Sequence, residues 1–255
     1  MSIASEITRL QNAKTTLKTK LNSRNDNQHQ ITNELIDEYG DFVDSIPSGG
    51  GGIDWSEIGY SGTPQSVQDG YDYAKTIYDN WDSSQTNFSS KFSNDTKLIF
   101  MPLVNTSNGT SFRKMFQNCA YLTTVPQLNT SNGTNFGSMF YCCQSLTTVP
   151  QLDTSSGTNV NTMFYDCLSL TTFGGLKNVG QAYLTSQSAN YSNYTLNLSA
   201  CTLLTHDSLM NVINGLYDIA TKGCNAQQLI LGSTNLAKLS AEEIAIATNK
   251  GWTVS

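Results

Sequence analysis

Acidic side chains at helical spacing are the residues best placed to do chemistry in this chain. Glu34, Asp37, Glu38, Asp41 and Asp44 recur at steps of one to three, and a carboxylate pair of this kind serves as acid and base in sugar cleavage. Acids at helical spacing on a short helix are also what a hydrated face looks like. Nothing nearby sets one carboxylate apart from the others, so the hydrated face is the preferred reading. Asp69, Asp72, Asp79 and Asp82 follow the same logic, opposite an expected core face of Val67, Tyr71, Ala74, Tyr78 and Trp81. The cysteines Cys119, Cys142, Cys143, Cys167, Cys201 and Cys224 contain no Cys-x-x-Cys pair. Metal chelation and thiol exchange usually begin from such a pair. His29 and His206 are the only histidines, which leaves little material for a His-based site. There is no Gly-x-Ser-x-Gly elbow, no His-Glu-x-x-His and no phosphate loop; Gly49–Gly52 is not followed by Lys-Ser/Thr. The sequence predicts no enzyme, no cofactor and no metal.

The composition narrows the rest. Charged residues make up 13% of the 255, about half the usual share, and uncharged polar residues take their place. With 38% apolar residues and a net charge of −6, charge-driven disorder is not expected. A sequence pI near 4.8 argues against nucleic acid. No run of apolar residues is long enough for a membrane span, and Met1–Lys14 has no basic start followed by an apolar run, so no secretory signal is expected. Charge is unevenly spread. Residues 1–24 carry five bases against Glu6, residues 25–82 carry twelve acids against Lys75, and the remainder is nearly balanced.

The elements that must position any site fall into five segments. In residues 1–48, Ile3, Ile7, Leu10, Lys14, Leu17 and Leu21 alternate at steps of four and three. That heptad seam buries well only against another helix, so this module is expected to dock or oligomerise. Residues 49–52 are a glycine linker, and 53–97 are expected to form a helical cap. Residues 98–176 repeat with a period of 24: Met115-Phe116, Met139-Phe140 and Met163-Phe164 keep step with Cys119, Cys143, Cys167 and with Leu122, Leu146, Leu170. The spacing of Phe112, Met115, Phe116, Cys119 and Leu122 predicts a short helix in each unit, then a very short strand and a Ser-Asn-Gly turn. One unit cannot bury its own apolar side, so neighbours must stack. The sequence predicts a right-handed α/β solenoid with Leu and Phe columns. Residues 177–255 loosen into irregular repeats and a cap. Leu196-x-Leu198 and Leu229-x-Leu231 mark strands, and helices are capped at Thr205 and by the Ser240/Glu243 box.

The unit Met-Phe-x-x-Cys-x-x-Leu-x-x-Val, with Thr-Ser-Asn-Gly-Thr between copies, resembles the BspA-like class of leucine-rich repeats. The resemblance is close over 98–176 and loose over 177–255. It implies an adhesion or recognition surface, as found on bacterial surfaces, in parasites and in phage-encoded proteins. Ser2–Lys14 is similar to openings of tail-associated proteins from phages of gut bacteria, and Ile53–Asp82 resembles a module that precedes such repeats there. Together these imply a non-enzymatic virion protein, assembled in the host cytoplasm. Its N-terminal helices would join other tail proteins, in a homo-oligomer, and its repeats would meet a host glycan or protein. A bacterial surface adhesin and a purely architectural tail or capsid component are the alternatives. The adhesin would need a signal peptide or anchor, and none is read here.

Between 98 and 173 the charged residues are Arg113, Lys114, Asp153 and Asp166. The expected recognition surface is therefore neutral: Thr124, Thr148 and Thr172 in register on the strand face, flanked by Gln127, Gln151 and Tyr121. Such a surface suits neutral glycans or polar epitopes better than phosphates.

Overall fold

The computed structural model describes residues 64–182, 194–222 and 225–255. The heptad seam of Ile3, Ile7, Leu10, Lys14, Leu17 and Leu21, the glycine linker, the acidic cluster 34–44 and Cys224 lie outside them.

Helix α1 (Pro64–Asp79) opens the described chain. Its buried side is marked by Ala74, with Tyr73 and Ile77 packed against the core, while Tyr78 is exposed, contrary to the expected core face. The shift by one residue places Tyr73 where its hydroxyl donates to the Asp95 carboxylate at 2.6 Å.

The 24-residue units follow, and their internal geometry differs from the helix that the apolar spacing predicts. Residues 112–119 form two consecutive turns: Met115 N–H closes on Phe112 C=O and Cys119 N–H on Phe116 C=O, both at 3.1 Å. The third residue of each turn, Lys114 and Asn118, has positive φ, the mark of a type II turn. The consequence is in the amides. An α-helix spends every N–H on its own carbonyls. Here the alternate amides of Phe112, Lys114, Phe116 and Asn118 donate out of the unit to Asn135, Gly137, Met139 and Tyr141 at 2.8–3.0 Å. The apolar residues still recur every three or four positions, which is why the pattern imitates a helix.

The same paired turns occupy 88–95, where Phe88, Ser90, Phe92 and Asn94 donate to Ser111, Arg113, Met115 and Gln117. Repeat pairing thus reaches back into the segment expected to be a helical cap. Within that segment, among the described residues, only Pro64–Asp79 is helical.

Parallel pairing holds the other sides of each unit. One row of single bridges runs Asn87, Ser111, Asn135, Asn159 and another runs Phe100, Thr124, Thr148. The pair of β1 (Thr148–Val149) with β3 (Thr172–Phe173) extends the second row, and β2 (Leu152–Asp153) pairs with β4 (Leu176–Lys177) beside it in sequence. Threonine hydroxyls add further donors to carbonyls of neighbouring units. Thr123, Thr147 and Thr171 each donate a hydroxyl, and Thr110, Thr134 and Thr158 do likewise, to the carbonyl 24 residues earlier at 2.9–3.1 Å. Thr106, Thr130 and Thr154 are buried and donate forward, to Asn129, Asp153 and Lys177. A buried hydroxyl left unbonded would cost roughly 1–3 kcal/mol, so these threonines belong to the core.

Ring columns run through the interior. Phe92, Phe116, Phe140 and Phe164 stack at 5.4–5.7 Å, and Phe88, Phe112 and Phe136 at 5.5–5.6 Å, with Trp81 over the first rings of both columns. Leu122, Leu146 and Leu170 are fully buried beside them.

Downstream the units lengthen. Strands β5 (Thr195–Asn197), β6 (Gln227–Ile230) and β7 (Trp252–Val254) form one parallel sheet, with Leu196 opposite Leu229. Between them lie α2 (His206–Gly215), α3 (Gly232–Leu236) and α4 (Ala241–Asn249). Thr205 caps α2 by accepting from Ser208 N–H, and Ser240 with Glu243 forms the expected capping box on α4. Trp252 is buried, its indole N–H donating to Tyr217 C=O at 2.9 Å.

The left-handed turn positions give a direct stability test. Thr162 sits there with φ 53°, where a β-branched side chain costs roughly 1–2 kcal/mol and Asn is tolerated. Its hydroxyl bonds, to Ser138 and Asn161, are exposed. Thr162→Asn should therefore raise the unfolding free energy by about 0.5–1 kcal/mol. A lower denaturation midpoint would show that the hydroxyl bonds outweigh the relieved strain.

Candidate recognition surface

The bridges and the β1–β3 pair place Thr124, Thr148 and Thr172 directly opposite one another. Thr172 is exposed, and Thr124 and Thr148 are half-buried. Gln127 is exposed, but its amide is already committed: it donates to Gln151 C=O at 2.7 Å and to Leu128 C=O at 3.3 Å. Gln151 is exposed beside it. Tyr121 stands at the corner before this row, with 57% of its surface exposed. The six expected residues therefore span a strand face and the corner that precedes it.

The two acids of this region are both engaged, while its two bases, Arg113 and Lys114, stand next to each other in a single unit. Lys177 reaches Asp153 at 2.7 Å. Burial works against ionising Asp153, but the hydrogen bonds from Lys177 and Ser155 outweigh it and hold the carboxyl below its ordinary value. Asp166 accepts from the Gln144 amide at 2.7 Å. On α1, Lys75 pairs with Asp79 at 2.6 Å, and Asp82 accepts from the backbone and hydroxyl of Ser84. Among the described residues, no group of His, Cys, Asp and Glu is arranged to hold a metal ion, and no helix is long and apolar enough to cross a membrane.

The cysteines form a ladder. Cys119, Cys143 and Cys167 are buried, and each Sγ donates to a carbonyl of the preceding unit, those of Phe92, Phe116 and Phe140, at 2.9–3.0 Å. Cys201 continues the row toward Phe164 C=O at 3.5 Å. All four are free thiols. Burial pushes Cys119 and Cys201 up to about 12, and raises Cys143 and Cys167 further. Cys142 is half-exposed, although burial and the Asp166 carboxylate raise it too. Since the thiolate is the nucleophile, iodoacetamide applied to the folded protein should label Cys142 first. Cys119, Cys143, Cys167 and Cys201 should react only after denaturation, with Cys224→Ala removing the sixth thiol. Labelling of Cys143 or Cys167 in the folded protein at the rate of Cys142 would contradict the buried ladder.

One arrangement went unread in the sequence: Tyr141 and Tyr165 stack at 5.0 Å and 12° on the surface. Their spacing of 24 is the available signal. It is hidden because the position holds Gln117 in the preceding unit.

The model of the family described as "Mycoplasma protein of unknown function, DUF285" matches residues 66–193, half of the chain. This chain belongs to the DUF285 family. The DUF285 match runs from α1 through the last of the 24-residue units and ends just before β5. It supports a BspA-like repeat protein, and the parallel sheet with its longer units lies outside it. Comparison with curated proteins and with solved structures returns no match.

Proposed function

We propose that this DUF285 chain is a non-enzymatic phage virion protein of the tail or tail fibre. Its stacked units form a solenoid that meets the host, and residues 1–48 dock it onto other tail proteins or further copies of itself. The observation that carries the recognition reading is the neutrality of the repeat surface. Its threonine and amide rows carry almost no free charge, and its aromatic rings stand in the open. The virion assignment is supported by the likeness of Ser2–Lys14 and Ile53–Asp82 to tail-associated segments.

A neutral contact predicts binding that changes little with ionic strength, because salt screens charges and not hydrogen bonds or stacking. The test is binding of the full chain to host cells at low and high salt, together with antibody labelling of purified particles. Salt-independent binding and label at the tail are the expected results. Label on particles without binding to cells would make the chain architectural. Binding that vanishes with salt would move the contact to the acidic segment 25–82.

A further inference from the structure

Inter-unit hydrogen bonds set which residues are neighbours on the surface. The amides of Asn118 and Cys142 donate to Tyr141 and Tyr165, so Gln117, Tyr141 and Tyr165 form one row along the units. The Cys201 thiol reaches Phe164 C=O as the Cys167 thiol reaches Phe140 C=O. That register puts Ser199 next in the row after Tyr165. A serine there is too small to cover the ring that precedes it.

The exposures agree with this placement. Tyr141, backed onto Tyr165, is half-buried, whereas Tyr165 is 52% exposed. Two more large apolar side chains are exposed in this part of the chain: Leu168, 47% exposed, one residue after Cys167, and Leu203, 55% exposed, two residues after Cys201. Tyr121 stands apart, because Ser145 and Ser169 separate it from Leu203 in their shared row. An open aromatic face, with two exposed leucines in the same and the next unit, is unusual on a surface otherwise made of small polar groups.

We propose that the open face of Tyr165, backed by Tyr141, is a stacking platform for one ring of a neutral glycan. An aromatic face is electron-rich, and the apolar face of a pyranose presents C–H bonds that complement it. The Asp166 carboxylate lies next in sequence to the platform and defines the class of sugar: sialic and uronic acids are repelled, and neutral rings are admitted. The polar rows of the adjoining units then meet further sugars of the same chain. This inference rests on the recognition reading and locates it at the corner, away from the threonine face.

An array of neutral, sialylated and uronic-acid oligosaccharides, probed with the full chain, tests it. Neutral spots should bind. Tyr165→Ala should weaken them by at least roughly tenfold, and Tyr165→Phe should retain them. Ser199→Tyr, which covers the face and gives up only the exposed hydroxyl bond of Ser199 to Asn197 Oδ1 at 2.8 Å, should weaken them as Tyr165→Ala does. Asp166→Asn should admit acidic sugars. Unchanged binding by both Tyr165→Ala and Ser199→Tyr would overturn the platform, as would a wild-type chain that binds only acidic glycans or none. If instead a Thr124/Thr148/Thr172→Ala triple variant loses binding while Tyr165→Ala keeps it, recognition stands and the site moves to the strand face. Absence of wild-type binding to both glycans and host cells would sink the two readings together.

Discussion

Replacing Phe140 by Ala should lower the unfolding free energy by about 3–5 kcal/mol. The ring is fully buried and stacks on Phe116 and Phe164 at 5.4 Å on either side. Truncation removes its own apolar surface, opens a cavity bounded by two rigid turns, and breaks two aromatic contacts worth about 0.5–1.5 kcal/mol each beyond burial. The turns cannot close the gap, because the peptide group before Phe140 is tied to both neighbouring units: its N–H donates to Met163 and its carbonyl, that of Met139, accepts from Phe116. Denaturant unfolding against Thr96→Ala, at an exposed position, measures the difference. A loss below about 1 kcal/mol would mean that the column relaxes or that the ring is not enclosed.

Gly215→Ala should destabilise the protein, although helix propensity alone argues the opposite. Gly215 is the last residue of α2 and its φ is not positive. In an open helix the change to Ala would gain about 1 kcal/mol. Here an added Cβ collides with the carbonyl oxygen of Leu176 in β4. The approach is fixed by main-chain bonding, since Val179 N–H donates to Gly215 C=O at 3.1 Å and Val179 bridges Leu216. Backbone cannot rotate aside as a side chain can, so the expected net loss is about 1–3 kcal/mol. Thermal unfolding decides by sign: a raised midpoint would show that α2 can lift from β4 at little cost.

Some of this organisation is legible in the sequence and some is not, for physical reasons. Side chains that stack must repeat, so the period of 24 identifies the columns of Phe116, Phe140, Phe164 and of Leu122, Leu146, Leu170 without any structure. Local capping chemistry is equally plain, at Thr205 and at Ser240 with Glu243. The conformation of each unit is hidden. Burial every three or four residues is shared by a helix and by paired type II turns, and the deciding positions carry Lys114, Ser138 and Thr162, none of which advertises positive φ as Gly would. Tyr78 lies outside the expected core face because α1 turns Tyr73 and Ile77 inward instead. On the surface, adjacent threonines of identical appearance have different duties: the hydroxyls of Thr123, Thr147 and Thr171 are spent on the unit before, whereas the neighbouring Thr124, Thr148 and Thr172 form the row of the strand face. The open face of Tyr165 follows from the register of Ser199, and a change of period from 24 to 34 between Cys167 and Cys201 hides that neighbour.

The alternate amides that leave each pair of turns have a genetic consequence. Every unit offers carbonyls to the one before it and amides to the one after, at the same positions. An in-frame gain or loss of 24 residues between 98 and 173 therefore leaves each donor facing an acceptor of the same kind. Tandem repeats of this kind are also where a coding sequence can gain or lose whole units by slippage or unequal recombination. Variation in the number of units thus preserves the main-chain bonding, and a lineage can alter the reach of this surface in whole steps without first evolving a new backbone contact.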